Sequence, residues 1–471
     1  SAFRREASWL LGSMMTALLA SLALAAPPNL VLVSLDTTRS DALSVYRSDV
    51  GPFRADPTNT PVLDALAAES LRFENFWVGT PTTLSSHTTM FTGLDPHGHS
   101  VVRNGFPYLE DAPTLAERLA GEGYDTIGVV GAAALESVMG LDRGFDVYDD
   151  DTPELLSIMY QARAENVVQR TLARVDDRAA SEPPLFLFVH LYDAHTPYVP
   201  PARMIRRHCD PAYRGRVVGE GAGFRSYVKK LRKDVADPDD VARVGELYLA
   251  EVAYVDEQVG VLLAGLEERG LLDNTLLVVT ADHGESLADD RIYAYSHGSN
   301  AAEEVMHVPL LVRGYGAAVG GPAVVSSHAY MAGLAPTLER LLGLERTLGD
   351  HPDFYDLVRP GPVRDEDGWP ERPTHTAYFE ASRPRQHTSE TEWNNLPLHR
   401  GVFAGGWGAW HAPFLDRSTT FYDGSVGYEA SMLPVLRGIL DTWDADPPDH
   451  RDEDLAPSTK KALKALGYLD D

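Results

Sequence analysis

A single cysteine, Cys209, occurs in the 471-residue chain. With no second thiol there is no internal disulfide and no cysteine-based zinc cluster, so Cys209 reads as a partly buried, quiet thiol. Positive charge is the next scarcity. The 41 Lys and Arg residues face 69 Asp and Glu, for a formal net charge of −28. That argues against a nucleic-acid partner, whose binding needs a basic footprint. It also requires any anion site to carry its own local positive charge, such as a metal ion. Internal repeats and low-complexity stretches are absent too.

The N-terminus does hold one long apolar stretch, residues 7–26, which follows Arg4-Arg5. Ala23-Leu24-Ala25 before Pro27-Pro28 has the small residues of a cleavage site. Residues 1–26 therefore read as an export signal peptide, with an uncleaved membrane anchor as the other reading. Either predicts a protein that works outside the cytoplasm, periplasmic or extracellular, with membrane association where the segment is kept.

The rest of the chain alternates strand and helix signals, which predicts an α/β sandwich with a mostly parallel sheet. Residues 29–35 (NLVLVSL), 71–78, 185–190 (LFLFVH) and 275–280 (TLLVVT) are apolar runs of buried-strand type. Each leads into polar residues at its C-terminal end, where open α/β sheets place their sites. Further strands are expected at 126–130 and 308–312, and helices at 161–177 and 241–268. Thr60-Pro61 reads as N-cap and first turn of another helix, and Gly121 and Gly123 end one over 113–119. Residues 200–240 form a basic, aperiodic insertion, a candidate lid within a catalytic domain spanning 27–350. From 351 to 471 Pro, Trp and Gly rise, and strands over 376–380 and 401–410 with helices over 429–443 and 457–466 predict a smaller α+β unit.

Two stretches carry chemistry. Residues 79–93 (GTPTTLSSHTTMFTG) place many hydroxyls at a helix start. A hydroxyl there meets free N–H donors and the positive end of the helix dipole, a good setting for a nucleophile that attacks an anionic ester. Thr82, Thr83, Ser85 and Ser86 are the rivals, Ser86 also being a candidate cap. Residues 280–285 (TADHGE) follow a strand and set the metal-ligand types Asp282 and His283 side by side.

These pieces, with TPVLDALAAESLRFENFWV, HLYDAHTPY, HGSNAAEEVMHVPLLVRG and the terminal LKALGYL in that order, resemble the sulfatases of the alkaline phosphatase superfamily. The resemblance implies a three-layer sandwich with a mixed central sheet, a smaller C-terminal sheet, and transfer of a sulfuryl or phosphoryl group beside a divalent metal. Counted back from Thr92-Gly93, the family's formylglycine position is Thr83, its Pro position Ser85 and its Arg position His87. Threonine has no primary alcohol carbon to oxidise, so no formylglycine is expected. Thr83 then resembles the nucleophile of the phosphodiesterase and phosphoglycerol-transferase branches. By the same resemblance Asp36, Thr83, Asp282 and His283 are the metal ligands, although Thr37 replaces a second Asp. An imidazole in the set favours manganese or zinc over calcium or magnesium. Asn104 and His87 are implied oxyanion contacts, His195 a contact to the oxyanion or leaving group, and His297 the general acid. Asp193 is a candidate second-metal ligand. The expected activity is hydrolysis or transfer of a phosphate mono- or diester. The alternatives are a sulfate-ester hydrolase without formylglycine and a catalytically silent exported binding protein.

Overall fold

The computed structural model describes residues 27–46, 59–178, 183–217, 237–289, 297–314 and 319–359 apart from a few single positions, strand segments between 377 and 426, and a few positions between 434 and 441. The N-terminal apolar segment, residues 218–236 of the basic insertion and the helix expected over 457–466 lie outside the described residues, whereas the first part of the insertion, expected to be aperiodic, contains the helix Ala202–His208.

Uninterrupted apolar sequence produces the centre of the molecule. Strands β1 (Asn29–Leu35), β7 (Leu185–Leu191) and β8 (Thr275–Thr280) are buried along almost their whole length. Strands with both faces covered have this composition. Around them run β2 (Leu71–Trp77), β3 (Asp125–Val129), β4 (Val147–Asp149), β9 (Leu310–Arg313) and β10 (Ala323–Tyr330). The eight form one sheet in the order β10-β2-β9-β8-β1-β7-β3-β4. Only β9 is antiparallel to its neighbours, so the sheet is mixed and mostly parallel, as the alternating pattern predicts. Ser34 of β1 pairs with His190 on one side and Thr280 on the other. The three strands therefore end level with one another and deliver Asp36, His190 and Asp282 to a single edge of the sheet.

Helices cover the sheet in two groups. The long helix Pro238–Glu268 packs against helices Pro61–Ala68, Ala164–Asp176 and Ala202–His208, and the helix Thr83–Thr92 packs with Leu115–Gly121 and Leu334–Leu341. The start of Pro61–Ala68 corrects one expectation. Thr60 stands at the N-cap with Pro61 behind it, but its side chain makes no cap bond. Its hydroxyl donates to Asp64 instead. The orphan N–H groups of Val62 and Leu63 donate to Asp256 of the long helix, at 3.1 and 2.8 Å. A tertiary carboxylate thus replaces the local cap.

A second sheet, antiparallel throughout, comprises β11 (Ala377–Ser382), β12 (Pro397–Ala404), β13 (Trp407–Ala412), β14 (Arg417–Tyr422) and β15 (Ser425–Val426). The single strand expected over 401–410 is a pair, β12 and β13, on either side of Gly405-Gly406. A small hairpin of β5 (Glu154–Leu156) and β6 (Met159–Tyr160) stands apart from both sheets. Cys209 is buried, in keeping with a quiet thiol. Among the described residues no helix is long and apolar enough to cross a membrane.

Candidate active site

The hydroxyl-rich stretch becomes a helix that begins at Thr83, with Thr82 extended before it and all ten residues buried. Gly93 ends it at φ 70°, where a side chain would press on the Gly349 backbone. Hydrogen bonding then sorts the rival hydroxyls. Ser85 donates to the Val101 carbonyl, and Thr88 to the Leu84 carbonyl at 2.7 Å. Ser86 does not cap the helix. It lies in the first turn and donates to the Asp282 carbonyl at 2.6 Å, tying the helix to the loop after β8. Thr82 pairs with Thr80 at 3.3 Å. Thr83 differs: its Oγ1 lies 3.5 Å from His283 Nε2.

His283 is held in one orientation. Its Nδ1 hydrogen donates to the Gly284 carbonyl at 2.9 Å, which leaves the Nε2 lone pair facing Thr83 and the Asp282 carboxylate. Asp282 Oδ1 accepts from the backbone N–H groups of Thr37 and His283, at 3.1 and 2.8 Å. Its Oδ2 is buried with no hydrogen-bond partner. Asp36 accepts from His190 Nε2 at 3.0 Å and from the Thr37 hydroxyl. Burial raises the pKa of both carboxyls, and the nearby Asp36 charge adds to the shift at Asp282. Two buried carboxylates, one oriented imidazole and an orphaned oxygen fit a divalent cation, and ligand atoms of Asp36, Asp282 and His283 lie within 4.8 Å of one another.

His87, His190 and Asp282 form a second group within the same span. Of its three members, His87 is fully engaged by protein. His87 donates from Nδ1 to the Thr83 carbonyl at 2.7 Å and accepts at Nε2 from Ser34 at 2.9 Å. Burial pushes the His87 imidazole down to about 3 and the His190 imidazole to about 4, so both are neutral at physiological pH. His87 thus sits one turn into the helix, with both ring nitrogens bound to protein.

Asn104 lies at the start of the same helix. Its Oδ1 accepts from Leu84 N at 2.7 Å, and its buried Nδ2 has no partner. His297 packs 4.5 Å from the His283 ring, and His195 follows at 4.8 Å from His297. Glu285, whose role the sequence did not reveal, accepts from His297 Nδ1 at 3.2 Å. Burial opposes charge on His297, but Glu285 and then Asp36 and Asp282 outweigh it and raise its pKa. His195 donates from Nδ1 to the Thr196 carbonyl and stacks on Tyr192. Asp193 makes an ion pair with the partly buried Arg163, at 3.1 Å, and accepts from Ala164 N. The structure therefore brings Asp36, Thr83, Asp282, His283, His297 and His195 to one place, with Asn104 at the same helix end, and gives Asp193 a structural partner.

The sulfatase family model matches residues 28–344 of this chain. The chain belongs to the sulfatase family. It is accordingly an ester hydrolase acting on anionic esters. The choline-sulfatase of Rhizobium meliloti is 26% identical over 361 residues, covering 67% of this chain and 68% of that protein. Arylsulfatase A of Bos taurus is 26% identical over 98% of this chain and 91% of its own length. Among solved structures, a phosphonate monoester hydrolase from Silicibacter pomeroyi superposes with a TM-score of 0.65 at 19% identity, over 90% of this chain and 96% of that one. A protein solved with its substrate D-glucosamine-2-N,6-O-disulfate gives 0.65 at 18% identity, over 89% and 98%. At such identities the superpositions speak for the fold.

Proposed function

We propose that this sulfatase-family protein hydrolyses or transfers phosphorus esters through Thr83. The observation that carries the reading is the sorting of hydroxyls: the neighbouring Ser and Thr side chains bond to backbone or to each other, while Thr83 Oγ1 faces His283 beside the paired carboxylates. Bound by Asp36, Asp282, His283 and the Thr83 hydroxyl, a divalent cation would lower the pKa of that hydroxyl and offset the charge of the ester. Manganese or zinc suits the mixed oxygen and imidazole donors.

The chain's own groups supply the rest. Thr83 Oγ attacks phosphorus in its ionised form, the alkoxide to which it returns when released, and the bond to the leaving-group oxygen breaks. Asn104 Nδ2 donates to a non-bridging oxygen of the ester, as its unpartnered, buried state invites. Glu285 fixes Nδ1 of His297, so its Nε2 hydrogen passes to the departing oxygen. Water then attacks phosphorus, releases Thr83, and returns a proton to His297. His195, packed on His297, is assigned to the leaving-group side. His87, both of whose nitrogens are occupied, holds Thr83 in place and does not touch the ester. Phosphorus is favoured over sulfur because a sulfated threonine has no internal group to expel its sulfate, whereas formylglycine does. A silent binding protein would have no use for the oriented His283 lone pair or the His297–Glu285 pair. The N-terminal residues 4–26 support an exported protein.

The test is a parallel assay of metal-stripped protein reloaded with manganese, zinc or calcium. Substrates are aryl esters of sulfate, phosphate, a phosphodiester and a phosphonate monoester. Metal-dependent turnover of a phosphorus ester is expected, abolished in Thr83→Ala and partly kept in Thr83→Ser. Sulfate-selective turnover that survives Thr83→Ala would overturn the assignment.

A further inference from the structure

Two buried tyrosines stand behind the site and touch both of its halves. Tyr248, on the long helix, donates its hydroxyl to the Thr37 carbonyl at 2.9 Å and accepts from Arg39 N at 3.0 Å. It thereby spans the turn that follows β1. Thr37 within that turn has φ 56°, a left-handed conformation that a β-branched residue adopts only when its surroundings enforce it. Because of it, Thr37 N points at Asp282 Oδ1 and the Thr37 hydroxyl at Asp36. One strained residue thus orients both carboxylates. Burial keeps the Tyr248 phenol well above its ordinary pKa, so it remains a donor.

Tyr198 packs edge-on against Tyr248, with ring centroids 5.4 Å apart. Its hydroxyl donates to Glu285 Oε2 at 3.1 Å, while Glu285 Oε1 accepts from His297. Both tyrosine rings are buried.

We infer that Tyr248 and Tyr198 are positioning residues with separate duties: Tyr248 holds the cation-binding turn of Asp36 and Thr37, and Tyr198 holds the Glu285–His297 pair. The inference rests on the phosphorus-ester reading for Tyr198, and on the cation-binding residues alone for Tyr248. Neither hydroxyl reaches the ester. Groups bonded directly to metal ligands typically change affinity or activity by about 10- to 100-fold when removed; Tyr248 acts one residue further out, through Thr37, so the lower end of that range applies.

The experiment uses the full chain with Tyr248→Phe and Tyr198→Phe, each losing one hydroxyl. Calorimetric titration of the metal-stripped proteins with manganese reads cation affinity without turnover. Rates with aryl and alkyl phosphorus esters at saturating manganese read the acid, because only poor leaving groups need the proton. Tyr248→Phe should weaken manganese binding by about 10-fold and leave the aryl-to-alkyl rate ratio unchanged. Tyr198→Phe should leave manganese affinity within about twofold of wild type and slow the alkyl ester roughly 10-fold or more beyond the aryl one. Adding Thr37→Asn to Tyr248→Phe should recover part of the lost affinity, since asparagine takes up φ 56° more readily than threonine and its amide can still donate to Asp36. A general packing role for Tyr248 would show no such rescue. Equal losses of both readouts in both variants, or no loss in either, would overturn the division of duties. Weakened manganese binding in Tyr248→Phe together with turnover that ignores Thr83 would keep the first duty and remove the second along with the phosphorus-ester reading.

Discussion

Asp282→Asn should make the cation-free protein more stable while removing its response to metal. Asp282 Oδ1 accepts two backbone hydrogens, from Thr37 and His283, and an asparagine oxygen would accept both. The change falls on Oδ2, which is buried without a hydrogen-bond partner and lies 3.4 Å from His283 Nε2. That nitrogen is an acceptor, because the Nδ1 hydrogen is given to Gly284. An amide NH₂ in place of Oδ2 could donate to it. The substitution removes a buried, unsatisfied charge and adds a hydrogen bond, a gain of about 1–3 kcal/mol by the usual cost of an unpartnered buried group. At about 2–4 °C per kcal/mol, the scale for domains of about 150–250 residues and an upper bound for this longer chain, Tm in chelator should rise by at most roughly 2–12 °C. Wild type should instead gain about 2.7 kcal/mol when manganese is supplied at 100 times its Kd. The variant should gain little. Differential scanning calorimetry in chelator and in manganese measures both shifts. A variant less stable than wild type in chelator, yet with an undiminished manganese shift, would refute the role given to Asp282 Oδ2.

Asn104→Asp keeps an oxygen for Leu84 N but turns the unpartnered donor into a second anionic oxygen. It should therefore fold, bind manganese, and lose about 10²- to 10³-fold in kcat, as steady-state kinetics on the phosphorus ester would show. Asp256 offers a stability readout far from the chemistry: burial lifts its carboxyl to about 6 against the opposing pull of the Leu63 and Val62 N–H groups. A carboxyl raised in the folded state adds stability that is full below about pH 4 and declines as pH rises through 6. Asp256→Asn should flatten that part of a Tm-against-pH curve, and an unaltered slope would contradict it.

What the sequence revealed and what it hid follow one physical division. Strands β1, β7 and β8 are continuous apolar runs, and their polar ends fall on one edge because parallel neighbours in register end together. The gathering of Asp36, Asp282 and His283 at one place was legible for that reason. Thr83 could be singled out in the sequence only by counting from Thr92-Gly93, and the structure sets it apart by its place beside His283, since four adjacent hydroxyls look alike until each finds its partner. The misreadings concern side chains whose partners are distant in sequence. Ser86 looked like a cap and bonds to the Asp282 carbonyl. Asp193 looked like a ligand and meets Arg163. His87 looked like an anion contact and bridges Ser34 to Thr83. Tyr198 and Tyr248 gave no signal at all, because a tyrosine in an apolar pattern reads as core until its hydroxyl is placed. Strand β10 was missed because most of it is only partly buried, so its alternation is faint.

Charge poses the last question, since an acidic protein is asked to bind an anion. In their ionised forms Asp36, Asp282 and Glu285 contribute −3 beside Thr83, and protonated His297 contributes +1. His87 and His190 are neutral. The local sum of −2 becomes zero when a divalent cation binds, so the site tolerates an ester anion only in the loaded protein. The remaining excess of the formal −28 is spread over the rest of the chain. At about 0.15 M salt, charges beyond roughly 8 Å are largely screened. The excess therefore slows encounter at low salt without weakening contacts inside the site. For the manganese-loaded protein kcat/KM should rise between 10 and 150 mM sodium chloride, and more for a dianionic monoester than for a monoanionic diester. A fall with salt, steeper for the dianion, would mean that a basic funnel guides the substrate, and the charge balance argued for Thr83 would have to be drawn again.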